Sequence, residues 1–89
     1  MDKFGEISMK DEVKCFIIKL LEGKRPIAKD IDIDSLKYFK SGYVDSLGLM
    51  KFIFQIEEKF DVEISEEDMM DESFGTVGGV VDIVSKKLT

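Results

Sequence analysis

Apolar residues recur at helical spacing in three long stretches of this chain, and a fourth, shorter stretch is marked by capping residues. In the first, Val13, Phe16, Ile17, Leu20 and Leu21 share one face, while Lys10, Asp11, Lys14 and Lys19 fall outside it. Ser8 with Asp11 three positions later resembles a capping box, and Gly23 followed by Pro26 stops the helix. The second helix is predicted from Leu47 to about Phe60 and carries two stripes. Leu49, Phe52, Ile53, Ile56 and Phe60 form a core face; Leu47, Met50 and Phe54 form another, bordered by Lys51, Glu57 and Glu58. Burial on a wide arc would also account for Met50.

Ser65 ahead of Glu66, Glu67 and Asp68 predicts a short third helix through about Asp71. Thr76 is the expected N-cap of the last helix, with Val77, Val80, Val81, Val84 and Leu88 buried and Lys86 and Lys87 at its negative end. Gly78 and Gly79 each weaken that helix by about 1 kcal/mol relative to Ala, so close backbone packing is expected there.

Residues 1–7 show no period and are expected to fray. Residues 24–45 form a connection longer than usual between packed helices. Ile27, Ile31, Ile33, Leu36 and Phe39 recur along it as anchors, with one short turn expected near Leu36 to Phe39. The reading is all-α: a four-helix bundle of three principal helices and one short one with a long first loop, in a single domain over residues 1–89.

Eighty-nine residues leave no room for an enclosed catalytic cleft, and 44% hydrophobic with 36% charged residues describes an ordinary globular chain. No N-terminal signal pattern and no apolar run of membrane-spanning length is present, which leads us to expect a cytoplasmic monomer with no membrane insertion. Charge is uneven. Residues 1–40 carry a net +1, residues 41–89 a net −7, and nine acids lie between Glu57 and Glu72 with Lys59 as the one base among them. Such a lobe repels nucleic acid and suits cationic protein surfaces, although a solvated acidic face would serve solubility alone.

The chain has one cysteine and no histidine, which excludes an internal disulfide, a cysteine–histidine nucleophile and a histidine-based serine triad. Cys15, beside the first apolar stripe, is expected to be a partly buried structural thiol. Asp30, Asp32 and Asp34 open like a calcium loop, but the sixth position from Asp30 is Ser35, where the turn wants Gly, and the twelfth is Ser41, where a bidentate Glu is needed. No metal site is assigned.

Ser41-Gly42-Tyr43-Val44-Asp45-Ser46-Leu47 leads straight into the second helix and places the Ser46 hydroxyl at its N-terminus, where unpaired N–H groups and the helix dipole favour an anion. Asp45-Ser46 could equally be an ordinary cap. The Asp-Ser-Leu triplet, together with Leu49, Ile53, Ile56, Glu57-Glu58-Lys59-Phe60, Ile64, Phe74 and Thr76-Val77, resembles the acyl and peptidyl carrier proteins over about residues 39–88.

The resemblance implies phosphopantetheine on Ser46, flanked by Asp45 and Leu47. It also implies partner docking along Leu47, Met50, Lys51, Phe54, Glu57 and Glu58, and a carrier that is not an enzyme. Its partners would be a phosphopantetheinyl transferase, an acyl- or aminoacyl-loading enzyme and a downstream synthase or transferase. Fatty-acid carriers usually have acids two and five positions after the modified serine; here those are Gly48 and Lys51, and Gly42-Tyr43-Val44 looks more like stand-alone peptidyl or amino-acid carriers. The rival reading is an unmodified helical adaptor gripping a partner with Leu47, Met50 and Phe54.

Overall fold

The apolar stripes become four helices in the computed structural model, which describes residues 9–24, 26, 27 and 30–88. These are α1 (Met9–Glu22), α2 (Ser46–Phe60), α3 (Glu66–Met70) and α4 (Val77–Leu88), with no strand among the described residues. The Ser8 cap and the fraying of residues 1–7 lie outside the described residues. Val13, Ile17 and Leu21 of α1 pack mainly against Val77, Val80, Val81 and Val84 of α4, and Phe52, Ile53 and Ile56 of α2 complete the core. Phe16, Leu20, Leu49, Phe60 and Leu88 lie at its edge, half-buried; Phe16 meets Phe60 edge-on at 5.6 Å.

The start of α4 shows why two glycines sit where helix propensity disfavours them. A Cβ on Gly79 would overlap the carbonyl oxygen of Ser73, and one on Gly78 would lie 2.9 Å from the carbonyl oxygen of Asp34. Backbones cross there with no space for a side chain, as expected. Thr76 caps the helix: its Oγ1 accepts from the Gly79 N–H at 3.1 Å.

The long connection contains two turns, one at Ile33–Ser35, ahead of the expected one, where Ser35 Oγ donates to Asp32 Oδ2 at 2.9 Å, and one over residues 38–42, overlapping the expected position. The choice of anchors needs correction. Of the anchors, Leu36 is buried and Ile27 and Ile33 are partly so, but Ile31 and Phe39 are exposed. Tyr38, Tyr43 and Val44 are buried instead. The reason is the turn over residues 38–42, in which Gly42 takes a φ of 86° and the N–H groups of Tyr43 and Val44 both donate to the Tyr38 carbonyl, at 2.9 and 3.2 Å. That fold-back points Tyr38 inward and leaves Phe39 at the rim. Cys15 is also corrected: it is exposed, on the side of α1 away from the core.

Candidate functional site

Ser46 is the first residue of α2, one position earlier than the periodicity indicated, and it is exposed. Asp45 supplies the cap. With an extended backbone, it accepts the Gly48 N–H on its Oδ1 at 2.6 Å, while its own carbonyl accepts from Leu49 N–H at 2.9 Å. The N–H groups of Ser46 and Leu47 precede the first intrahelical bond and have no acceptor within the helix. The Ser46 hydroxyl therefore stands at the positive end of a 15-residue helix, open to solvent. This geometry fits a phosphodiester on the serine: the anion lies on the dipole and nothing must move to admit it.

The structure brings the second stripe into one exposed band. Leu47 is 91% exposed and Phe54 60%, and Met50 is exposed with them, so α2 is not buried on a wide arc. Lys51 and Glu58 flank the band in solvent. Glu57 differs. It is half-buried, and its Oε2 accepts the Ile64 N–H at 2.8 Å, so part of its charge fastens the segment after α2. Gly48 lies tight beneath the cap: a Cβ there would come within 3.0 Å of Asp45 Oδ1.

The short α3 is held through Asp68 in its first turn. Ser65 is the N-cap expected from the sequence, and the structure completes it as a reciprocal box: Ser65 Oγ accepts the Asp68 N–H at 3.2 Å and Asp68 Oδ2 accepts the Ser65 N–H at 2.9 Å. Lys87 Nζ of α4 lies 2.8 Å from Asp68 Oδ2. This ion pair, followed by the Ser65 backbone bond, holds the Asp68 carboxyl below the usual carboxylate range. Next to α3, the Ser73 backbone N–H and hydroxyl hold Asp71 low in the same way.

Sequence periodicity missed two features near the site. Met70, exposed at the end of α3, adds an apolar side chain that its acidic surroundings did not advertise. Tyr38 was overlooked because its importance is tertiary: its ring stacks at a tilt on Phe52 of α2, centroids 5.1 Å apart, and its hydroxyl reaches Phe74. Among the described residues no cluster of acidic, cysteine or histidine side chains could hold a metal ion, and no helix is long and apolar enough to cross a membrane.

Comparison with known proteins matches residues 21–84 to the family described as "Phosphopantetheine attachment site". An acyl carrier protein of Chlamydia trachomatis serovar D is 37% identical over 81 residues, covering 91% of this chain and 97% of the relative. One from an Exiguobacterium species is 39% identical over 64 residues, 70% of this chain and 78% of the relative. One from Chlorobium phaeovibrioides is 32% identical over 76 residues, 85% and 95% respectively. No solved structure gives a significant match.

Proposed function

Because the chain belongs to the acyl carrier protein family, whose members carry covalent phosphopantetheine and are not enzymes, we propose that Ser46 is the attachment residue of this carrier. The observation that carries the reading is the exposed Ser46 hydroxyl at the first position of α2, in Asp-Ser-Leu context, beside the Asp45 cap. When bound, the group supplies a long flexible arm ending in a thiol, on which an acyl or aminoacyl unit is held as a thioester. Ser46 has no histidine anywhere in the chain to take its proton. Its oxygen must therefore be activated by a transferase base, attacking the pyrophosphate of coenzyme A so that the Ser46 O–P bond forms and adenosine 3′,5′-bisphosphate leaves.

Delivery then depends on docking. The band of Leu47, Met50 and Phe54, edged by Lys51, Glu57 and Glu58, starts one residue after Ser46, so an enzyme seated on it has its active site beside the base of the arm. Tethering raises the local concentration of the cargo there, and exchange of partners requires that docking be weak.

Gly48 and Lys51, where fatty-acid carriers usually present acids, support service in a specialised aminoacyl, peptidyl or secondary-metabolite pathway of the cytoplasm rather than in housekeeping fatty-acid synthesis. The unmodified-adaptor reading gives way, since it leaves family membership unexplained. Intact mass after incubation with coenzyme A and a broad-specificity transferase tests the attachment. The wild type should gain one phosphopantetheine and Ser46→Ala none; a gain that persists in the variant would exclude Ser46.

A further inference from the structure

A cavity of about 270 Å³ opens between the end of α1 and α2. Its floor is apolar: Tyr43, Val44 and Phe52 are buried, and Leu20 is half-buried beside them. Gly23 and Gly48 border it without a side chain that could close it. On α2 the lining residues Gly48, Lys51, Phe52 and Gln55 follow helical spacing, so they share one face of that helix.

The charge around this cavity is all of one sign. Lys24 and Lys51, both exposed, line it, Gln55 adds a carboxamide, and no carboxylate is in the lining. Asp45, next to it, has its Oδ1 engaged by the Gly48 N–H. Neither lysine has an acid within reach on its own helix: three and four residues from Lys51 stand Leu47, Gly48, Phe54 and Gln55, and ahead of Lys24 stand Leu20 and Leu21. Among the described residues neither is in an ion pair, whereas Lys10, Lys14 and Lys87 are each matched to an aspartate. Lys24, just past the end of α1, offsets the negative end of that helix; Lys51, within α2, has no such role.

Lys51 joins this cavity to the docking band, since it lines the one and borders the other. An enzyme seated on Leu47, Met50 and Phe54 therefore covers the cavity mouth as well. Taking unmatched ammonium groups out of water without a counter-charge is costly, so the covering surface must supply one. Resting on the docking of partner enzymes along α2, we propose that this cavity is their specificity pocket, and that it receives a carboxylate side chain of the partner set beside an apolar one. The carboxylate lies between Lys24 and Lys51, and the apolar group covers Tyr43, Val44 and Phe52. A partner presenting a cation here meets two like charges and is rejected. The complementary surface is thus of mixed sign, basic opposite Glu58 and acidic opposite Lys24 and Lys51.

The test titrates the full chain, labelled with nitrogen-15, with 3-phenylpropionate, which joins a carboxylate to an apolar group, with its neutral isostere 3-phenylpropionamide, and with inorganic phosphate. The carboxylate should shift the backbone amides of Lys24, Gly48, Lys51 and Gln55 and bind about fivefold or more tighter than the amide. Lys24→Gln with Lys51→Gln should abolish that preference while the denaturation midpoint stays in place. Equal binding of acid and amide, a preference that survives the double substitution, or the same shifts from phosphate alone overturns the pocket's assignment. The occupant is tested on the holo protein with the cognate loading enzyme. Lys24→Gln, a change outside α2, should raise KM about tenfold rather than lower kcat, and less so as salt is added. An unchanged KM would show that no partner carboxylate enters. These outcomes bear on the pocket alone; absence of a phosphopantetheine mass gain in the wild type would overturn the attachment reading instead.

Discussion

The hydroxyl of Tyr38 donates to the carbonyl oxygen of Phe74, 36 residues further along the chain, and the two rings meet nearly edge-on with centroids 6.5 Å apart. Both side chains are buried, and burial pushes the Tyr38 phenol well above its ordinary range, so the hydroxyl stays protonated and remains a donor. Through this pair the long first loop is fastened to the turn that leads into α4. Tyr38→Phe keeps the ring but strands the Phe74 carbonyl, and should cost about 1–2 kcal/mol in chemical denaturation. Helical content should be unchanged, and an unaltered denaturation midpoint would show that water replaces the hydroxyl.

Gly79→Ala gains about 1 kcal/mol of helix propensity yet must displace the Ser73 carbonyl. Overpacking of backbone against backbone outweighs that gain, and a net loss of more than about 2 kcal/mol is expected. Gly75→Ala, where a Cβ would meet nothing within 4 Å, is the control and should leave thermal stability nearly unchanged. A stabilised Gly79→Ala variant would contradict the crossing of the two segments.

Ser85 is on α4, with its Oγ buried and unpartnered among the described residues. Replacing it with Ala removes an unsatisfied hydroxyl and improves helix propensity, so Ser85→Ala should stabilise by roughly 1 kcal/mol. Thermal unfolding of the two proteins side by side measures this directly.

The Asp68–Lys87 pair makes α3 sensitive to acid. Since the Asp68 carboxyl is held below its usual value in the folded protein, it contributes stability fully above the unfolded value near 3.9, and that contribution is lost as pH falls through the folded value. Asp71, lowered by Ser73, adds to the same window. Amide exchange at Met69 and Met70 should therefore accelerate below about pH 4, more than at the α1–α4 core. Asp68→Asn should show the faster exchange already at neutral pH; a flat profile in the wild type would remove the pair from the account.

For docking, Phe54→Ala should lower the efficiency of the cognate loading enzyme about tenfold or more while leaving the fold intact, since Phe54 packs on nothing in the core. Lys51→Glu should improve use by housekeeping fatty-acid enzymes in a salt-dependent way. Lys51 is the better site for that experiment than Gly48, where any side chain crowds the capping Asp45. Loading rates for both enzyme sets at low and moderate salt decide it; salt-insensitive, equal rates would remove the electrostatic argument.

What the sequence determined by itself is what local chemistry controls. Helical periodicity located the three long helices and sorted α2 into a buried face and an exposed band, because side-chain direction on a helix follows from spacing alone. Capping chemistry marked Asp45, Ser65 and Thr76, each of which accepts the N–H three residues on. Tertiary structure decided the irregular segment. In residues 24–45 no period links position to direction, so hydrophobicity suggested Ile31 and Phe39 as anchors, while the fold-back at Gly42 gave that role to Tyr38, Tyr43 and Val44. The same holds for Glu57, whose carboxylate was turned inward by an N–H seven residues away, and for the cavity lined by Lys37, Lys40, Glu72 and Thr76, which exists only because the loop lies against the turn before α4. Contacts between segments distant in sequence depend on how helices pack, and no local pattern encodes that.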